Sequence, residues 1–437
     1  MKISAYNSSL FQFLEASPTP FHAVAELEKQ FIENGFTKLQ EDQSWQLVKG
    51  RSYFVTRQQG AMIAFTLGED EEDVDGFRIV TAHSDSPCLQ LKPQPDITTQ
   101  SYNQLGVEVY GGALLAPWFD RNLSVAGRVT CALDDGSLKV FLVDFKRALL
   151  TIPSVAIHLN REANSTGAIN KQKDLPPVIG LNTEDQKNTF ENLILNYLKE
   201  HYTSYQADKI LSFDLFCVDS QKPTLLGSHN EFITAARLDN LLSAHSCMEA
   251  MVAAGNQKNS MFYIANHEEN GSMSAAGAQG NFITSLFKRL LPDPEKRQIA
   301  LSRTFLISVD NAHATHPNAA DTMDPDHNIV LNKGVVIKIN ANQRYTTNSI
   351  SSAIYKEICN KAGINNQAFV MRSDMACGST IGPLTAANLG IQAVDIGAPT
   401  LGMHSIRELT GTKDPEMLYK SLVQFLSSNI HKQLLNI

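Results

Sequence analysis

What the chain lacks narrows the field first. Its six cysteines stand at 88, 131, 217, 247, 359 and 377, too far apart for a CxxC metal or redox motif. They offer no disulfide framework either. No run approaches the ~18–20 consecutive apolar residues that cross a bilayer. The first 24 residues carry one lysine, and Leu10, Phe11, Phe13 and Leu14 are interrupted by Gln12 and followed by Glu15. That pattern reads as an amphipathic helix and not as a secretory leader. Positive charge is in deficit, with 37 Lys and Arg against 45 Asp and Glu and a formal net charge of −8. Such a balance repels phosphate backbones and anionic lipid, so neither nucleic acid nor a membrane is the expected partner. The expected location is the reducing cytoplasm.

What is present is ordinary for a soluble globular protein: 43% hydrophobic and 19% charged residues over 437 positions. That is enough apolar surface for a sizeable core, and the length suits two domains. There is no internal repeat. Residues 3–36 read as two helices broken at Ser17-Pro18-Thr19-Pro20. Residues 50–85 read as strands separated by the acidic turn 68–73. The middle of the chain is β-rich, with strands at Gly106–Tyr110, Val125–Leu133 and Leu138–Phe145, a hairpin turn at Asp134-Asp135-Gly136, a polar loop over 160–174 and a helix over Phe190–His201. After about residue 232, helices alternate with short apolar runs at Met261–Ala265, Phe305–Val309, Val335–Ile339 and Ala393–Ile396. Alternation of that kind marks an α/β domain whose sheet is buried on both faces. Phe77–Ala82 has the same character. The expected division is therefore a mixed-sheet α/β domain from 1–90 and 232–437, with residues 91–231 inserted as a β-rich domain.

Several of the buried runs end in groups that bind metals. Phe77–Ala82 leads into His83, with Asp85 two residues on. Met261–His267 leads into Glu268-Glu269, Phe305–Val309 into Asp310, and Ala393–Gly397 after a turn to His404. Asp239 stands just ahead of the apolar helix 241–254, a favourable place for a carboxylate. In open α/β sheets, ligands bind beyond the carboxyl ends of the strands. Each residue alone has a bland reading as a cap, a solvated turn or a satisfied core histidine. Taken together, two His, two Asp and two adjacent Glu with no cysteine suit zinc, manganese or cobalt in a hydrolytic site. Five ligands exceed the three that hold one catalytic zinc. They suit two metals sharing a carboxylate, with one Glu left as general base. The residues alone do not say which Glu.

The order and spacing of further motifs go beyond chemistry to kinship. Ala82-His83-Ser84-Asp85-Ser86-Pro87-Cys88, Arg237-Leu238-Asp239-Asn240, Glu268-Glu269 with Gly271-Ser272, Asp310-Asn311-Ala312-His313-Ala314, Cys377–Pro383 and Met403–Glu408 occur in that order. With them the chain resembles the aspartyl aminopeptidase and vacuolar aminopeptidase I family of zinc metallopeptidases along nearly its whole length. Asn270 stands where the family commonly has an aliphatic residue, and Asn266-His267 differs from some members. The resemblance implies two Zn2+ per subunit, with Mn2+ or Co2+ as possible substitutes. His83, Asp239 and Asp310 would hold one ion, and Asp239, Glu269 and His404 the other. Glu268 would be the general base, and Asp85 would hydrogen-bond His83 and fix its tautomer. His158 would act in the active site of a neighbouring subunit, making the β-rich insertion a dimerisation domain. Lys338 would supply a cation for an acidic N-terminal residue; otherwise it is a strand lysine whose stem lies on apolar surface. Peptide substrates and a dimer-based homo-oligomer, a dodecamer in the family, complete what is implied. The competing readings are a co-catalytic carboxypeptidase or deacylase, and a non-catalytic self-assembling scaffold.

Overall fold

The computed structural model describes residues 3–429 except 73, 134, 166, 183–188 and 206. The expected turns at 68–73 and 134–136 and the loop 160–174 each include one residue outside that set. By its internal contacts the chain divides into two units. One comprises 1–85, 223–403 and 408–437, the other 86–222 and 404–407.

The first unit is built on a nine-stranded mixed sheet. Its order runs Thr37–Leu39, Arg51–Arg57, Ala61–Leu67, Ser260–Ala265, Arg78–His83, Phe305–Val309, Gln392–Gly397, Val335–Ile339 and Asn366–Val370. The four central strands, from Ser260–Ala265 to Gln392–Gly397, are mutually parallel, and the register pairs Ala265 with His83 and Ser308 with Thr81. Their carboxyl ends therefore line up. These strands read as continuous apolar runs because both faces are covered. Successive side chains alternate between faces. Val80, Phe262, Ile264 and Ile307 enter a core with the helices Pro20–Glu33, Leu238–Ala253 and Asp414–Ser427. Ile79, Met261, Tyr263 and Leu306 enter a second core with Phe282–Leu290 and Ile381–Leu389.

At the opposite, amino end of this sheet, Arg78 is fully buried and forms a two-pronged ion pair with Glu71, both contacts at 3.0 Å. Its remaining donors reach Ser428 O and Asn429 Oδ1, tying the end of the last helix to the strand. A small five-stranded sheet, containing Phe232–Ala235 and Glu408–Gly411, also belongs to this unit.

The second unit is an antiparallel six-stranded sheet whose long strands are Cys88–Thr99, Tyr102–Tyr110, Leu123–Leu133 and Ala207–Asp219. Helix Phe190–His201 lies where its period places it and contributes Phe190, Ile194 and Leu198 to that unit's core. Strand Cys88–Thr99 was not legible. Two prolines, Pro93 and Pro95, interrupt its alternation at a register shift between Leu91 and Asp96.

Candidate active site

His83 is the last residue of its strand, Asp310 the first after its own, and Glu268-Glu269 open a short 3-10 turn beyond Ser260–Ala265. Parallel pairing brings these ends together. Asp239 arrives from elsewhere: helix Leu238–Ala253 opens with two residues, Asp239 and Asn240, in non-helical backbone. That departure lets the Asp239 amide donate to Glu408 Oε2 at 2.9 Å, while Asn240 Nδ2 bonds Val309 O at 2.8 Å. Both bonds are buried, and they fix the carboxylate beside the strand ends.

The geometry centres on His83. Its Nε2 lies 3.4 Å from Asp239 Oδ1 and 3.5 Å from Asp310 Oδ1. Direct N–H···O bonds are shorter, at about 2.7–3.2 Å. Tetrahedral ligands held about 2.0–2.1 Å from zinc stand about 3.4 Å from one another. The spacing therefore fits a cation between the three groups. On its other side, the imidazole Nδ1 lies 3.0 Å from Asp85 O. A carbonyl only accepts, so Nδ1 carries the proton and Nε2 presents a lone pair. Burial alone would lower the His83 pKa, but the carboxylates of Asp239, Asp310 and Asp85 outweigh it and hold it well above the ordinary range. In physical terms the pocket demands positive charge at that nitrogen, which a bound cation supplies as well as a proton does. His83, Glu268 and Glu269 form a second close cluster of ligand-type atoms.

The carboxylate of Asp85 does something other than expected. Its Oδ1 is 3.6 Å from His83 Nδ1, beyond hydrogen-bond range, and the backbone oxygen takes that role instead. The two carboxylate oxygens accept the amides of Glu268 and Glu269, each at 3.1 Å. Asp85 thus caps the turn that carries both glutamates, as an Asp caps a helix start. Burial pushes the Glu268 carboxyl up to about 7, with His83 opposing and Asp310, Asp85 and Asp239 adding to the rise. A carboxyl in that range both accepts and returns a proton near neutrality.

Lys338 is also placed differently from the expectation of a cation offered to substrate. It is buried, and its ammonium sits 3.2 Å from Asp310 Oδ2 and 3.0 Å from Asn311 O. His404 belongs to the second unit, in left-handed backbone, with Nδ1 3.1 Å from Gly112 O. It therefore shows the same tautomer as His83, with the proton on Nδ1 and the lone pair on Nε2. His158, in the same unit, is exposed on an irregular segment. Sequence reasoning missed Glu408 as the partner of the Asp239 amide and Asn240 as the clamp to Val309. Both lay inside quoted motifs, but nothing in their spacing disclosed a partner.

Buried imidazole and carboxylate donors at zinc-like spacing, with a further carboxylate on a capped turn beside them, define a metal-dependent hydrolase. The family model described as aminopeptidase I zinc metalloprotease (M18) matches residues 13–426. The chain is 47% identical over 422 residues to the probable M18 family aminopeptidase 2 of Azotobacter vinelandii, covering 97% of this chain and 98% of that one. Among solved structures it is similar to the chain in the complex of Ape4 and Nbr1, with a TM-score of 0.95, 36% identity and coverage of 99% and 89%. It is also similar to the mApe1 dodecamer of S. cerevisiae, with a TM-score of 0.83, 25% identity and coverage of 98% and 97%. This chain belongs to the M18 family of zinc aminopeptidases, and it is a metallo-aminopeptidase. No described helix is long and apolar enough to cross a membrane.

Proposed function

We propose that the protein removes N-terminal residues from peptides at a two-zinc site. His83, Asp239 and Asp310 would hold one ion, Asp239, Glu269 and His404 the other, and Asp239 would serve both; Mn2+ or Co2+ could substitute. Zinc bound there would acidify a water and polarise the scissile carbonyl. Glu268 takes the proton of the attacking water and returns one to the leaving amine. The observation that carries this reading is the His83, Asp239 and Asp310 cluster with Glu268 on the Asp85-capped turn beside it.

Unit 86–222 is proposed as the dimerisation domain, with His158 completing a neighbour's site. The dodecamer named for the yeast relative supports a homo-oligomer, here proposed to be built from dimers and to work in the cytoplasm. An acidic preference would require Lys338 to turn from Asp310 toward substrate. A panel of N-terminal residues, free and blocked, decides both specificity and the need for a free amine. Glu268→Gln provides the main test. It should keep two zinc ions per subunit and lose about 10²–10⁴-fold in kcat. Zinc lost with the carboxylate would show that Glu268 is a ligand and not the base.

A further inference from the structure

The turn that carries Glu268 is braced at a second point that the chemistry above does not use. His267 immediately precedes Glu268 and has left-handed backbone, φ 63° and ψ 24°. Bulky residues seldom adopt that conformation, although histidine is enriched there over most side chains. Its amide is taken by Asn266 Oδ1 at 2.9 Å, and Asn266 N in turn reaches Ala276 O at 3.0 Å. The imidazole Nδ1 lies 2.7 Å from Ser274 Oγ. Ser274 Oγ also accepts the amide of Gly277 at 2.9 Å, so the one hydroxyl joins the imidazole to the far end of the loop. The main chain closes the same loop, with Ser272 N on His267 O at 2.7 Å and Gly271 N on Glu268 O at 3.0 Å. The loop is wound tightly: a Cβ added to Gly277 would stand 2.3 Å from Ser272 O.

Asp85 therefore holds the amide side of the Glu268-Glu269 turn, and the His267 ring ties the chain just before it to the far end of the loop. We propose that His267 is a positioning residue for Glu268, acting through its bond to Ser274 and touching neither substrate nor zinc. This rests on Glu268 being the base.

The test is a double-mutant cycle with His267→Ala, Ser274→Ala and the double variant, alongside Glu268→Gln. Each single change should lower kcat about tenfold, the worth of about one hydrogen bond expressed in the transition state. KM and zinc content should stay at wild-type values, and the double variant should be no worse than the weaker single. Amide exchange at Gly277 should quicken in all three, a readout independent of turnover. Should His267→Ala fail to fold, Ser274→Ala carries the same test. Unchanged kcat in both singles, additive losses, or loss of zinc in place of turnover would each overturn the proposal. Glu268→Gln separates the two claims: activity surviving there sinks the base assignment, whereas loss there with unaltered kcat in both brace variants sinks only the brace.

Discussion

Replacing Asp85 by Asn distinguishes two ways in which one carboxylate could serve the site. If the carboxylate acts on His83, the substitution should loosen the metal ligand and zinc should be lost. If it acts on the glutamate turn, zinc should stay and turnover should fall. The distances favour the second outcome. The imidazole bond runs to the backbone oxygen of Asp85 at 3.0 Å and survives any side-chain change. The two bonds at 3.1 Å to Glu268 N and Glu269 N do not. Asparagine keeps the shape and one acceptor but sets an N–H against the other amide. Hydrogen bonds to charged groups contribute about 1.5–3 kcal/mol, and a buried donor left unmet costs about as much. Losing one such cap should therefore cost the turn about 2–3 kcal/mol. If the transition state feels all of it, kcat falls about 30–150-fold. The assay measures zinc per subunit by elemental analysis and steady-state hydrolysis of an aminoacyl amide on the same preparation. A variant within threefold of wild-type kcat would refute the argument. So would one that loses zinc while turnover per bound zinc stays normal.

Asp239→Ala should be the most damaging single loss among the ligands, because its carboxylate would serve both ions; two tightly held zinc ions with near-normal turnover would contradict the sharing. Arg78→Leu should destabilise the fold by about 3–5 kcal/mol, since it leaves Glu71 charged and buried. The double variant with Glu71→Gln should recover much of that in urea unfolding, and an equal loss in both would show that packing and not charge is at stake. Burial pushes the Asp414 carboxyl up to about 7, against the two amides of Asn332 and Gly411 that favour its ionised form. A raised carboxyl stabilises fully below its unfolded value of about 3.9 and loses that contribution as pH rises through 7, about 4 kcal/mol in all. The stability of wild type relative to Asp414→Asn should therefore decline from pH 4 to pH 8, and a flat difference would refute the assignment.

The fold was legible wherever burial imposes a period. Phe77–Ala82, Met261–Ala265, Phe305–Val309 and Ala393–Ile396 mark the four central strands, because a sheet covered on both faces writes itself as short apolar runs. The helices over 5–16, 20–33 and 190–201 follow from amphipathic spacing and from Pro20 at a helix start. The short strands of the five-stranded sheet were not legible. Segments as brief as Pro399–Leu401 and Ala312–His313 are too short to show alternation and exist only through their neighbours. Strand ends pointed to His83, Glu268, Glu269 and Asp310. The main-chain partners were invisible: Asp85 O for His83, Val309 O for Asn240 and Gly112 O for His404 have no sequence signature.

Lys338 shows most clearly where residue types run out and geometry takes over. A lysine interrupting a buried strand has two readings from sequence, a stem lying along apolar surface or a cation waiting for substrate. The structure supplies a third. Asp310 turns one oxygen, Oδ1, toward His83 Nε2 at 3.5 Å and the other, Oδ2, toward the Lys338 ammonium at 3.2 Å. That division leaves a single oxygen of Asp310 facing His83. The lysine also places a fixed positive charge behind a group of acidic side chains that would otherwise repel one another without a cation. A buried lysine persists only where such a partner exists. The strand that carries Lys338 therefore belongs to the electrostatics of the site as much as to the sheet.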